Sequence, residues 1–70
     1  MTTMMMMFEA YALVCFLATA QCMDAVPSQR PFSGVLECMV FADRWAQALA
    51  RVSPVPAVFV PRCRRVERAA

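Results

Sequence analysis

The chain has 70 residues, a net charge of +2, no histidine and no lysine, so every basic residue is an arginine. That length holds one small domain, residues 1–70, whose core alone stabilises by roughly a few kcal/mol. A 61% apolar composition excludes a disordered tail.

Residues 1–9 read as an apolar lead-in. The run Met4–Met7 is packing filler rather than a copper site, because four consecutive side chains point different ways and cannot converge on one ion.

The segment that follows admits three readings. As a secretory signal peptide over 1–20, Ala10–Ala20 is the apolar region and Ala18-Thr19-Ala20 the small-residue cleavage site, but the leader lacks a basic residue and Glu9 stands where one belongs. As a membrane span, the uninterrupted run Ala10–Ala20 falls short of the roughly 20 residues a bilayer needs. As a buried central strand over Phe8–Leu17, it is rich in Tyr, Val, Phe and Leu and ends in small residues. The strand reading leads. Gln21–Val26 is then a second strand, completing a strand and hairpin region over 10–26 that sets Cys15 opposite Cys22. The connection through Ala18 and Thr19 has poor turn chemistry, since neither residue readily takes positive φ.

Pro27–Pro31 is a loop. An amphipathic helix follows over 33–52, with Ser33 as N-cap and Phe32 packed on its first turn. Val35, Cys38, Ala42, Trp45 and Leu49 share its buried face; Glu37, Asp43, Arg44, Gln47 and Arg51 share the wet one. Pro54 drives residue 53 toward extended geometry and stops the helix. A C-terminal strand over 57–66 carries Pro61, which cannot donate to a ladder, so the strand is an edge or carries a bulge, and 67–70 form a tail. The order defines an α+β fold, a small β-β-α-β unit with one helix packed on a three-stranded antiparallel-type sheet.

Connectivity places Cys38, near the helix start, beside Cys63, near the end of the last strand. That makes Cys38–Cys63 the favoured bridge if the chain is oxidised, worth about 3 kcal/mol in the chain-entropy model. Cys15 and Cys22 lie at the opposite end and are the remaining disulfide candidates; free buried thiols in a reducing compartment are the alternative.

Function classes narrow sharply. Without histidine or lysine the usual general base, the Ser–His and Cys–His pairs and Schiff-base chemistry are missing. The single glycine, Gly34, excludes a Gly-rich phosphate loop. The cysteines lack zinc-knuckle spacing, and there is no redox C-x-x-C. The chain therefore reads as non-enzymatic, with no catalytic residue, metal, cofactor or small-molecule substrate. Seven Met and five Phe exceed what so small a body hides, which points to an interface or a membrane; a protein partner or a homo-oligomer is the favoured reading, and a small membrane-associated subunit is a further alternative. Arg62, Arg64, Arg65 and Arg68 are partner-docking candidates; because no aromatic residue interleaves with them, nucleic acid is disfavoured and charge protection of an edge strand is the simpler use.

The runs Tyr11–Cys15, Gln21-Cys22, Pro31-Phe32-Ser33 leading into Glu37-Cys38, and Val60–Cys63 resemble small uncharacterised cysteine-containing proteins of tailed bacteriophages and GC-rich marine bacteria. The resemblance covers roughly residues 10–64. It implies a phage-associated, stapled, non-enzymatic protein of the virion or host cytoplasm. The leading expectation is thus a small structural or interaction protein docking on a larger assembly, such as a capsid cement or decoration protein. The rival is an exported periplasmic disulfide-stapled binding domain beginning after a signal peptide over 1–20.

Overall fold

A computed structural model of the chain describes residues 4–28 and 31–69, with side chains at 6–28 and 31–66. Its elements are β1 (Met4–Phe16), β2 (Cys22–Ala25), α1 (Val35–Val52) and β3 (Ala57–Ala69). The strands form one antiparallel sheet in the order β2-β1-β3. The fold is α+β, one helix against three strands, stapled by Cys15–Cys22 and Cys38–Cys63.

β1 is the central strand, and its burial alternates with the pleat. Ala10, Ala12 and Val14 are buried under α1, while Tyr11, Leu13 and Cys15 are half-buried on the opposite face. Coverage on both faces, expected from its near-continuous apolar run, is not what forms: α1 covers one face and the other is open. β1 also starts earlier than its composition suggests. Met4–Met7, read as a lead-in, pair with Val66–Ala69, so the tail read at 67–70 is strand through Ala69. Ladder hydrogen bonds supply this order, which methionine periodicity does not advertise. The rest of the lead-in at 1–3, the middle of the loop at 29–30 and Ala70 lie outside the described residues.

The ladder parity explains how Pro61 is accommodated. Phe8 exchanges both backbone hydrogen bonds with Phe32, at 2.7 Å each, on the side of β1 away from β3. Backbone groups alternate sides along a strand, so the even-numbered residues of β1 turn away from β3. Ala12 and Pro61 are register partners and form one of the pairs without mutual hydrogen bonds. The N–H that proline lacks would point off the sheet edge.

The β1–β2 connection bears out the poor turn chemistry and shows where it is resolved. Ala20 takes φ 57°, the left-handed region, and its N–H donates to the Phe16 carbonyl at 2.8 Å. Phe16 N–H in turn donates to the Gln21 carbonyl at 2.8 Å.

α1 ends as expected: Ser53 is extended (ψ 124°) ahead of Pro54. Its start differs. Gly34, not Ser33, is the N-cap, with φ −114° and ψ 137°, and no side chain caps the first turn. The Phe8–Phe32 backbone pairing holds residue 32 in register with β1, and the helix opens just beyond it. Phe32 packs on Phe41, ring centroids 5.3 Å apart, and against the cluster of Ala10, Cys38 and Ala42.

The core is shallow. Its buried members are Ala10, Ala12, Val14, Cys38, Ala42 and Ala46, and the largest fully buried side chain is Cys38. Alanines on both sides let helix and sheet approach closely, but they remove little apolar area from water. Phe8, Phe32, Phe41 and Cys63 pack around this centre. Trp45, half-buried, donates its indole N–H to the Ala25 carbonyl at 3.0 Å and pins α1 to β2. Val35, expected on the buried face, is 48% exposed, and Ala46 takes a buried place further along.

Candidate functional site

Two surfaces carry the chemistry of this chain. The first is the open face of the sheet, where the pleat places Glu9 and Tyr11 of β1, Asp24 of β2 and Arg62 and Arg64 of β3. Glu9 is the register partner of Arg64, and Tyr11 of Arg62. Arg64 donates from Nε (2.7 Å) and Nη2 (2.6 Å) to Glu9 Oε1, approaches Asp24 Oδ2 with Nη1 at 3.9 Å and lies 4.7 Å from the centre of the Tyr11 ring. The hydrogen bond to Glu9 raises the Arg64 pKa above the ordinary arginine value, with the negative charges of Glu9 and Asp24 adding to it and the modest desolvation opposing.

The four arginines singled out from sequence therefore do not make one patch. Arg64 is engaged by two carboxylates and a ring. Arg62 shares its face and is exposed. Arg65 falls on the helix side of the sheet, where Nη1 donates to Met6 Sδ at 3.6 Å, and the Arg68 side chain lies outside the described residues. The four cysteines are all in disulfides. Cys15 and Cys22 join directly opposed residues of β1 and β2, with Cα atoms 4.0 Å apart, and Cys38–Cys63 ties α1 to β3. Among the described residues no group of three His, Cys, Asp or Glu could hold a metal ion, and no helix is long and apolar enough to cross a membrane.

The second surface is the outer side of α1. Leu36 is 78% and Val40 54% exposed. With Phe32, Glu37, Phe41 and Arg44 they line an open groove of about 470 Å³. Leu36, Val40 and Arg44 recur every four residues, so they stack on one stripe turned away from the sheet. Met39, at 45%, and Val35 extend exposed apolar surface around the first two turns. Sequence reasoning missed this surface because it looked for one apolar face and one wet one. The signal was present: apolar residues at 35, 36, 39 and 40 beside those at 38, 41 and 42 leave the N-terminal half of the helix apolar nearly all round.

Comparison with family models, with curated proteins and with solved structures gives no match. The functional reading rests on these surfaces.

Proposed function

We propose that this chain is a small structural protein that performs no catalysis and docks on a larger protein assembly through the outer groove of α1. The observation that carries this is the exposure of Leu36 and Val40 between Phe32 and Phe41 in a molecule whose own core is mostly alanine. An isolated small domain gains by hiding such side chains, and a contiguous apolar strip rimmed by charge is what a partner's surface covers. The two staples fit the role, since a platform with a shallow core must stay rigid while it presents its groove. A virion accessory of the cement or decoration kind is the most concrete form of this reading, supported by the resemblance carried by the cysteine and Glu-Cys runs.

The test is fractionation of the native source by particle size, with intact-mass identification of the chain. The chain should travel with a high-mass assembly, and the double substitution Leu36→Ser with Val40→Ser should release it. A wild-type chain confined to the low-mass fraction as a free monomer would overturn the docking reading.

The disulfides favour one rival, an exported binding domain, because such bridges persist in oxidising compartments. In this fold residues 4–16 are the central strand and Cys15 is bonded. Cleavage after Ala20 would remove both, so an exported form with this fold keeps the segment. An intact mass beginning at Gln21 would exclude the fold described here in the exported molecule.

A further inference from the structure

We propose that the α1 groove is closed by a second copy of this chain, its α1 lying antiparallel across the first about a two-fold axis between Val40 and Phe41. This rests on the docking role of the same groove: the subunit of the larger assembly that covers it is a second copy of this chain.

What carries it is the symmetry of four of the six residues that line the groove. A two-fold contact must be self-complementary: if residue i meets residue j of the other copy, then j meets i. Glu37, Val40, Phe41 and Arg44 are spaced evenly about the midpoint of 40 and 41. An antiparallel partner centred there sets Glu37 against Arg44 of the second copy, Arg44 against Glu37, and Val40 against Phe41 on both sides. Two ion pairs then bracket an apolar centre, the usual layout of a charged rim around a buried middle. A parallel pair would instead place Glu37 on Glu37 and Arg44 on Arg44, and like charges face to face oppose association.

Two further observations agree. Glu37 and Arg44 are exposed and have no ion-pair partner among the described residues, whereas Glu9, Asp24 and Arg64 are paired within the chain. Positions 37, 40 or 41, 44 and 48 follow the alternating three- and four-residue spacing that lets one helix pack along another.

The experiment is sedimentation equilibrium on the full, disulfide-intact chain and its variants Glu37→Arg, Arg44→Glu and the double exchange. Wild type should self-associate to a dimer. Each single reversal puts like charges at both contacts and should weaken dimerisation about tenfold or more. The double exchange should restore it. An equimolar mixture of the two single variants should form a heterodimer, because one copy then presents two arginines where the other presents two glutamates. That rescue also shows that both variants are folded.

A wild-type chain that stays monomeric at its highest soluble concentration would overturn the proposal, as would a dimer indifferent to both reversals or a mixture that fails to associate. If the chain is monomeric yet the Leu36→Ser, Val40→Ser double variant still loses the particle fraction, the second copy is wrong and the docking reading survives.

Discussion

Pro61 stands opposite Ala12 in a pair of the β1–β3 ladder whose backbone groups turn away from each other. The missing donor therefore costs the sheet nothing and falls on the outer edge, where an N–H would be free to recruit another strand. Pro61→Val should keep the fold, with both bridges formed and a melting temperature within a few degrees of wild type. It should raise the rate of concentration-dependent aggregation measured by light scattering at matched concentration. Equal scattering from both proteins would show that Pro61 does not guard the edge.

The two disulfides should separate under graded reduction. Cys22 is exposed, whereas Cys38 is fully buried, so an attacking thiolate reaches the hairpin bridge first. Alkylation followed by mass mapping should label Cys15 and Cys22 before Cys38 and Cys63. Replacing Cys38 and Cys63 by Ser should cost about 3 kcal/mol of stability by denaturant titration, and replacing Cys15 and Cys22 about 2 kcal/mol, following the sizes of the loops they close. Simultaneous labelling of all four sulfurs would mean that opening is global.

Gly34 caps α1 without a side chain, and Glu37 is three residues on. Gly34→Ser would complete a Ser-x-x-Glu capping box. The added Cβ meets the Glu37 side chain no closer than 3.8 Å, an ordinary contact. Together with reduced freedom in the unfolded chain, the change should stabilise by about 1 kcal/mol, read as a higher denaturation midpoint at unchanged slope.

Ala20 holds a left-handed φ of 57°, which costs a residue with a Cβ about 1 kcal/mol. Ala20→Gly should recover roughly that amount, less the extra freedom it gives the unfolded chain. A loss of stability would show that the hairpin leaves this conformation in solution.

Much of the architecture is legible in the residues. The helix is bounded by Pro54, a steric stop, and by Phe32-Ser33-Gly34. The pairing of Cys38 with Cys63 follows from strand order alone, because a helix antiparallel to β2 returns its chain to where it began. The cap is not legible: Ser33 is the better capping residue, yet the backbone pairing of Phe8 with Phe32, distant in sequence, sets where α1 begins. The length of β1 is hidden for the same reason, since Met4–Met7 become strand only through Val66–Ala69. The exposure of Leu36 and Val40 in the outer groove of α1 is not legible either, because periodicity ranks faces without saying how much of the helix the sheet covers.

The register joining Met4 to Ala69 has a consequence for synthesis. A ribosome makes β1 before the other elements, but β1 cannot be completed until β3 emerges; until then its partners in this fold are the short hairpin with β2 and the single pair with Phe32. A strand of methionine, tyrosine and valine must wait with one edge bare while the loop, the helix and β3 are translated, and non-local pairings of this kind form slowly. The arrival of β3, rather than that of the helix, is the event that commits this protein to its fold.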